Sequence, residues 1–397
     1  MIRAGVGLST ERDAVRAALE AGRRALSALD GAPPSWCVAF ANSDHAAALP
    51  ALLETLTQVT GTPYLAGCSG AGVIAEGREV ERGPALGVLA VASDRLQATP
   101  FLFHDEGDGG FAAGLRLGQR LQASRGRNDL VLVWPDPLHV RPDRLLQGMG
   151  THLEQVPVAG GAAAGHPMEA PTFQFSGTEI GTASVAGLRL GGALRHAVAV
   201  SQGCRPLGEP LRVTRAHQNL VFEVEDRPVL EVLRDRLPES LGEDPAAAAE
   251  SLFVALLPEA GEVAIRPGEY LVRNILEADP DTGVLAISDN VEEGQYLLFA
   301  LREPAAARHE LGRVLASAVA ERRARDIRFG LYFNCRARGR ALYGTPGVDA
   351  AILSRALPGL PILGFFGNAE IAPLRGTNHL FTYTGVLVLV GEESEGS

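Results

Sequence analysis

The sequence predicts an α/β fold in which a repeated unit of strand, helix and two further strands forms helix-flanked β-sheets, in a chain of two parts. Three observations lead to this prediction: a length of 397 residues, one order of elements that occurs three times, and a glycine-rich turn at the same point of each occurrence. A chain of this length exceeds what a single hydrophobic core usually supports, and two domains are therefore expected.

An amphipathic helix is predicted before the first repeat. Thr10 and Asp13 have the spacing of a capping box, which marks the start of a helix. Apolar residues then recur at helical spacing until Gly31 and Pro33, which end the pattern. Residues 1–35 are therefore assigned to an N-terminal helix that precedes the repeats.

The repeated unit consists of a strand that runs into a polar loop, a helix, a second strand and a glycine-rich turn. The first strands end near Asn42, Trp134 and Phe333, and these residues are expected at equivalent strand ends. A further apolar strand follows each turn, at residues 86–92, 184–190 and 384–390. Since one helix covers only one face of a sheet, the other face must be buried against a second layer.

The glycine-rich turns are the expected ligand-binding region. Glycine lets the backbone approach a ligand closely, and loops on a rigid α/β scaffold are a frequent place for binding sites. The residues proposed from the first and second turns are Gly67, Cys68, Ser69, Gly160 and Gly161.

The composition excludes several classes of function. A net charge of −11 argues against nucleic-acid partners and anionic membrane surfaces, because both require clustered basic residues. All 36 basic residues are arginine. A chain without lysine cannot form a Walker phosphate loop, a Schiff base or a Ser-Lys dyad.

The spacing of the cysteine and histidine residues bears on whether the protein contains a metal site or disulfide bonds. The four cysteines lie far apart without a Cys-x-x-Cys pair, and the nine histidines show no metal-binding spacing. We therefore expect that the protein binds neither a metal nor a cofactor. We also expect that it resides in a reducing compartment. The chain shows no secretory signal pattern and no apolar run longer than a strand, which favours a cytoplasmic protein over a membrane protein.

Several motifs between about Trp36 and the end of the chain resemble the FIST family, named for F-box and intracellular signal transduction proteins. They include residues 202–208, the run Asn334-Cys335-Arg336-Ala337-Arg338-Gly339, and the run Gly364-Phe365-Phe366-Gly367-Asn368-Ala369-Glu370, in which Ala369 stands where the family usually has glycine. The resemblance implies a FIST N-terminal domain over residues 36–225, a FIST C-terminal domain over 226–373, and a C-terminal strand with an acidic tail over 374–397. It also implies a bacterial small-ligand sensor that favours amino acids.

Five residues of the third repeat are the candidate ligand groups: Asn334, Cys335, Arg338, Phe366 and Glu370. An amino-acid ligand requires a fixed cation and a fixed anion, because an unpaired buried charge is costly. Arg338 can pair with a carboxylate, Glu370 can accept an ammonium group, and Phe366 can form a wall of the pocket. Alternatively, Arg338 and Glu370 form a structural ion pair. Cys335 is either a thiolate activated by neighbouring arginines or a small buried side chain.

The sequence thus favours a sensory module that binds an amino-acid-like molecule and signals through a partner protein, and it does not favour an enzyme. Two alternatives remain open. One is a hydrolase or amidohydrolase that uses Cys68, Ser69 or Cys335 as its nucleophile, and the other is a docking scaffold. An enzyme needs a hydrogen bond between that nucleophile and a base, whereas a sensor needs only convergent polar groups.

Overall fold

The computed structural model describes residues 2–123, 126, 128–168, 170–238, 251–257, 269–321 and 327–393, so the end of the expected acidic tail (394–397) lies outside the described residues. Helices flank mixed β-sheets, which confirms the predicted α/β class. The chain divides into two compact units: Met1–Val200, Gly312–Leu380 and Thr384–Ser397 form the first, and Ser201–Leu311 with Phe381–Tyr383 form the second. This division differs from the boundary at residues 225 and 226 that the family resemblance implies.

The elements are numbered along the chain. The strands up to residue 201 are β1 (Arg3–Ser9), β2 (Trp36–Asn42), β3 (Leu65–Gly70), β4 (Val73–Ala75), β5 (Arg78–Val80), β6 (Leu86–Ala92), β7 (Leu96–His104), β8 (Leu130–Pro135), β9 (Val158–Gly161), β10 (Gln174–Ser176), β11 (Glu179–Gly181), β12 (Ser184–Gly192) and β13 (Leu194–Ser201). The strands of the second unit are β14 (Cys204–His217), β15 (Leu220–Val224), β16 (Arg227–Pro228), β17 (Leu252–Leu256), β18 (Leu271–Asp279), β19 (Val284–Ile287) and β20 (Tyr296–Arg302).

The remaining strands are β21 (Ile327–Cys335), β22 (Ile362–Gly367), β23 (Glu370–Leu374), β24 (Thr377–Phe381) and β25 (Gly385–Glu392). The α-helices are α1 (Ala14–Ser27), α2 (Leu49–Thr60), α3 (Phe111–Gln122), α4 (Pro142–Gly150), α5 (Val229–Arg236), α6 (Pro304–Glu321), α7 (Arg340–Tyr343) and α8 (Val348–Ala356), and a 3₁₀ helix covers Ser43–Ala48. No helix in the described part of the chain has the length and apolar character needed to cross a membrane.

The N-terminal segment contains a strand as well as the predicted helix. Helix α1 starts one residue after Asp13, whose carboxylate caps it by accepting the Arg16 N–H at 2.8 Å. Thr10 is therefore not the cap. Strand β1 pairs antiparallel with β6 and packs closely on α1, because Gly7 brings its backbone against the Ala21 carbonyl. The sequence prediction of a helix alone missed this strand.

The predicted threefold repeat is confirmed by three sheets of the first unit. Each sheet has a central parallel pair, β2–β3, β8–β9 or β21–β22, and an antiparallel neighbour, β6, β12 or β25. Helices α1 and α2 pack on the first of these sheets, and α3 and α4 pack on the second. These are the helix-flanked sheets that the repeated pattern predicts.

The short strand after each glycine turn leaves its own repeat and joins the sheet of another. Strand β4 follows the first turn and pairs with β22 of the third repeat. Strand β10 follows the second turn and pairs with β3 of the first, and β23 follows the third turn and pairs with β9 of the second. The three repeats therefore exchange strands in a cycle, which locks them into one unit.

The strand register identifies equivalent residues of the three repeats. Ala39, Val133 and Tyr332 pair with the first glycine of their respective turns. The next residues in the three strands are Phe40, Trp134 and Phe333. The Phe40 ring lies 5.3 Å from Trp134 and 6.4 Å from Phe333, centroid to centroid, so the three equivalent side chains meet in the core. Trp134 and Phe333 are thus equivalent as expected, but Asn42 lies two residues beyond their counterpart Phe40.

The first glycine of the first turn has to lack a side chain. A Cβ added to Gly67 would collide with the carbonyl oxygen of Ala39 and the ring of Phe175. Replacing Gly67 with alanine is therefore expected to destabilise the protein by about 1–3 kcal/mol, as overpacking does. Urea unfolding measures the loss. Gly150→Ala is the matched control, since nothing lies within 4 Å of its added Cβ, and equal losses for the two variants would refute the explanation.

The described residues of the second unit include helix α5 and a seven-stranded sheet in the order β14, β20, β17, β18, β19, β15 and β16, in which β14 also pairs with β15. Its buried side chains include Phe253, Tyr270 and Leu298. The Arg273 Nε donates to the Asp289 carboxylate at 2.7 Å, an ion pair that lies within this unit.

Candidate functional site

The three glycine-rich turns come together in the first unit. The Ala71 N–H donates to the Phe366 carbonyl at 2.8 Å, and the Phe366 N–H donates to Gly72 at 3.0 Å. The Ala162 N–H donates to the Ala369 carbonyl at 2.8 Å, which joins the second turn to the third. Each repeat therefore contributes its turn to one hydrogen-bonded centre.

All ten residues proposed from the sequence are buried in or beside this centre. Burial raises the pKa of the Cys68 thiol well above its usual value, so this group is a thiol at neutral pH. The Ser69 Oγ accepts the Phe173 N–H at 3.1 Å. The Ser69 contact is not with a catalytic base, and the raised pKa of Cys68 disfavours a thiolate, so neither observation supports Cys68 or Ser69 as a nucleophile.

Arg338 forms a buried ion pair with Asp349 rather than with Glu370. Its Nε donates to Oδ2 of Asp349 at 2.9 Å and its Nη2 donates to Oδ1 at 3.2 Å. The same carboxylate accepts the hydroxyl groups of Tyr332 at 3.0 Å and Tyr343 at 2.7 Å, and the Asn334 amide at 3.2 Å. The alternative of a structural pair between Arg338 and Glu370 is therefore replaced by a network centred on Asp349.

The positive charge of Arg338 determines that the Asp349 carboxyl is ionised. Burial on its own would raise the pKa of this carboxyl, but the attraction to Arg338 and the hydrogen bonds that it accepts lower the pKa below its usual value. Asp349 is therefore ionised at neutral pH. The sequence offered one signal for this residue, an acid in the first turn of a predicted helix, but that pattern usually marks interaction with the helix dipole.

Glu370 lies at the equivalent of Gln174 in the second repeat, because each begins the strand that crosses to another sheet. Its Oε2 accepts the Thr384 hydroxyl at 2.8 Å, as the Gln174 Oε1 accepts the Ser184 hydroxyl at 3.1 Å. The other oxygen of Glu370 is buried without a hydrogen-bond partner among the described residues. Burial raises the pKa of Glu370 to about 8, so this carboxyl is predominantly protonated at neutral pH.

A cavity of about 310 Å³ opens beside the turns. Its lining includes Phe366, which the sequence predicted as a pocket wall. The charged and polar side chains that line it are Glu81, Arg82, His166, Arg336 and Arg340. None of these residues was proposed as a ligand group from the sequence. For Glu81 and Arg82 the reason is that they follow a short strand without a periodic pattern.

Arg336 is held in place by the second and third turns. Its Nη1 donates to the Gly165 carbonyl at 3.2 Å and to the Asn368 side-chain oxygen at 3.4 Å. Among the residues that the structure describes, no carboxylate lies within ion-pair distance of the guanidinium groups of Arg82, Arg336 or Arg340. The cavity thus contains positive charge that the described side chains do not neutralise.

Glu81 supplies negative charge to the same cavity. Both of its oxygens accept the Arg340 backbone N–H at 3.0 Å, which ties the carboxylate to the start of α7. Partial burial raises the pKa of Glu81, although the Arg340 N–H and the charges of Arg340 and Arg82 act in the opposite direction. A cation placed beside Glu81 would favour its ionised form.

A second cavity, of about 330 Å³, has a mostly apolar lining that includes Val6, Ile74 and Leu353. Its acid, Glu76, already forms an ion pair with Arg24 at 2.7 Å. This cavity therefore has fewer groups to orient a ligand than the one beside the turns. Within the described ranges, no three His, Cys, Asp or Glu side chains are grouped closely enough to hold a metal ion.

Comparison with known proteins agrees with the motifs. Residues 35–227 match the FIST N domain, and residues 230–373 match the FIST C domain. The chain belongs to the FIST family. An uncharacterized protein of Mycobacterium tuberculosis is 32% identical over 98% of this chain and 99% of its own length. The FIST N domain supplies Glu81 and Arg82 to the cavity, and the FIST C domain supplies Arg336, Arg340 and Phe366.

Two solved structures resemble this FIST protein weakly. A cyanuric acid hydrolase has a TM-score of 0.34 and 13% identity, covering 99% of this chain and 100% of that chain. A chorismatase has a TM-score of 0.33 and 8% identity, covering 98% of both chains. At these values neither likeness bears on what the FIST protein binds or does.

Proposed function

We propose that this protein is a sensory module that binds a small amino-acid-like molecule in the cavity beside the glycine turns and passes its bound state to a partner protein. One observation carries the proposal. The cavity is lined both by arginines that have no described carboxylate within reach and by the carboxylate of Glu81. The binding of small ligands is in keeping with membership of the FIST family.

The chemistry of the cavity suits a zwitterion. A guanidinium can hold a carboxylate through two parallel hydrogen bonds, and Arg336 is already oriented by its two acceptors. The Glu81 carboxylate can accept an ammonium group, and Phe366 supplies an apolar wall. The volume of about 310 Å³ lies at the lower end of the range of about 300–1,000 Å³ for small-molecule sites, which suits a metabolite of amino-acid size.

The proposal moves the charged pair by a few residues from the sequence prediction. Arg336 and Glu81 take the roles first given to Arg338 and Glu370, and Phe366 keeps its role. Arg338, with Asn334 and Asp349, positions the loop that carries Arg336 and leads to Arg340 at the start of α7. The residues proposed from the first two turns do not line the cavity. Ser69 joins these two turns, since its carbonyl accepts the Ala164 N–H at 3.1 Å.

Thermal unfolding in the presence of each of the twenty amino acids tests the proposal. A ligand at one hundred times its Kd stabilises the folded state by about 2.7 kcal/mol, which is visible as a rise in Tm. Arg336→Gln is expected to weaken binding by about 2–5 kcal/mol, because it removes one partner of a desolvated charge pair. Arg23→Gln is the matched control, since Arg23 is exposed on α1 and does not line the cavity.

Two results would count against the proposal: no amino acid raises Tm, or Arg336→Gln and Arg23→Gln respond equally to the ligand.

We further propose a cytoplasmic location. The four cysteines are buried and form no disulfide bond, which suits a reducing compartment.

A further inference from the structure

The cavity carries more positive than negative charge. Three guanidinium groups, those of Arg82, Arg336 and Arg340, accompany the single carboxylate of Glu81. A neutral amino acid brings one carboxylate and one ammonium group. It would occupy Glu81 and one arginine, and it would offer no carboxylate to the other two guanidinium groups of the cavity.

We propose that the ligand is an acidic amino acid, or a molecule of the same chemistry with two carboxylates and one ammonium group. This inference rests on the proposed function and specifies the ligand of the same cavity. The ammonium group pairs with Glu81, one carboxylate pairs with one arginine, and the second carboxylate lies between the two arginines that remain. Three guanidinium groups and one carboxylate give the cavity a net charge of +2, which a ligand of net charge −1 lowers to +1 and a neutral amino acid leaves unchanged.

The positions of the three arginines support two carboxylate subsites. Arg336 is half-buried and held by Gly165 and Asn368, so it forms a preset subsite. Arg82 and Arg340 have exposed side chains, and both act electrostatically on the Glu81 carboxylate. We therefore assign one ligand carboxylate to Arg336 and the second to Arg82 and Arg340, with the ammonium group at Glu81.

Calorimetric titration with matched pairs of ligands tests the ligand class. We expect L-glutamate or L-aspartate to bind more tightly than its amide, L-glutamine or L-asparagine, by roughly 10- to 100-fold, which corresponds to one hydrogen-bonded charge. Arg82→Gln and Arg340→Gln should each reduce this preference for acid over amide. Arg23→Gln removes the same charge outside the cavity and should leave the preference unchanged.

Glu81→Gln gives the sharpest contrast, because it removes the partner of the ammonium group and leaves the arginines in place. It should weaken the binding of L-glutamate and strengthen the binding of glutarate, which has two carboxylates but no ammonium group. Melting curves of the variants without ligand verify that each one is folded.

Three results would contradict the assignment of an acidic ligand, and they differ in what they imply for the proposed function. If amides bind as tightly as acids, the acidic class is wrong and the proposed function stands. If none of the amino acids binds, both fail. If inorganic phosphate binds more tightly than L-glutamate and Glu81→Gln strengthens phosphate binding, the cavity is a simple anion site and the inference is overturned.

Discussion

Replacing Asp349 with alanine is expected to lower the free energy of unfolding by about 3–5 kcal/mol, because it leaves a buried guanidinium without its carboxylate. The side chains of Arg338 and Asp349 are both completely inaccessible to solvent. The substitution also leaves the hydroxyl groups of Tyr332 and Tyr343 without their acceptor. Urea unfolding followed by circular dichroism measures the loss.

An exposed ion pair provides the matched control for this prediction. Arg141 and Asp143 lie 2.6 Å apart with side chains that are 69% and 48% exposed, and Asp143→Ala should cost less than about 1 kcal/mol. The double variant Arg338→Met with Asp349→Leu should recover part of the loss, since it removes both buried charges together. A loss at Asp349 no larger than that at Asp143 would show that the network does not stabilise the fold.

Replacing Glu370 with glutamine is expected to remove a large pH dependence of stability. The folded pKa of about 8 lies above the ordinary value of 4.5, so the contribution of Glu370 is fully present below pH 4.5 and is lost as the pH rises through 8. A shift of this size corresponds to a loss of about 5 kcal/mol by pH 8. Glu370→Gln should therefore match the wild type in acid and exceed it in stability at pH 8 and above.

The second repeat indicates that glutamine fits this position, because Gln174 already accepts a hydroxyl group in the same way at the equivalent place. Urea unfolding of both proteins from pH 5 to pH 9 provides the measurement. The difference between the two proteins isolates Glu370 from other groups, including Glu79, whose pKa burial raises to about 7. Parallel stability curves for the two proteins would mean that Glu370 is ionised in the folded state.

The sequence predicted the repeats well because their signals are local. Buried strands such as β2 and β8 are continuous apolar runs, and each repeat has a glycine turn at the same point. The strand exchange could not be predicted in this way. Strands β4 and β10 have three residues each, which is too short for a periodic pattern, and their partners lie in distant repeats.

Of the residues proposed as ligand groups from the sequence, Phe366 lines the cavity, whereas the charged residues Arg338 and Glu370 do not. Arg336 and Arg338 are two residues apart in one motif, and nothing local in the sequence tells which of them is buried. That difference depends on Asp349, which reaches Arg338 only after the chain has folded.

The cyclic strand exchange has a consequence for the kind of molecule that such a framework can bind. Three separate copies of one repeat, assembled in the same way, would carry every side chain three times and could offer a ligand only a symmetric environment. In this protein one chain contains all three copies of the repeat, so equivalent positions can carry different residues. The equivalent pairs are Glu370 with Thr384, Gln174 with Ser184, and Val73 with Ala85. A molecule with unlike ends has, for example, a carboxylate at one end and an ammonium group at the other. A framework can bind such a molecule in a single orientation if its equivalent positions carry different residues, as they do here.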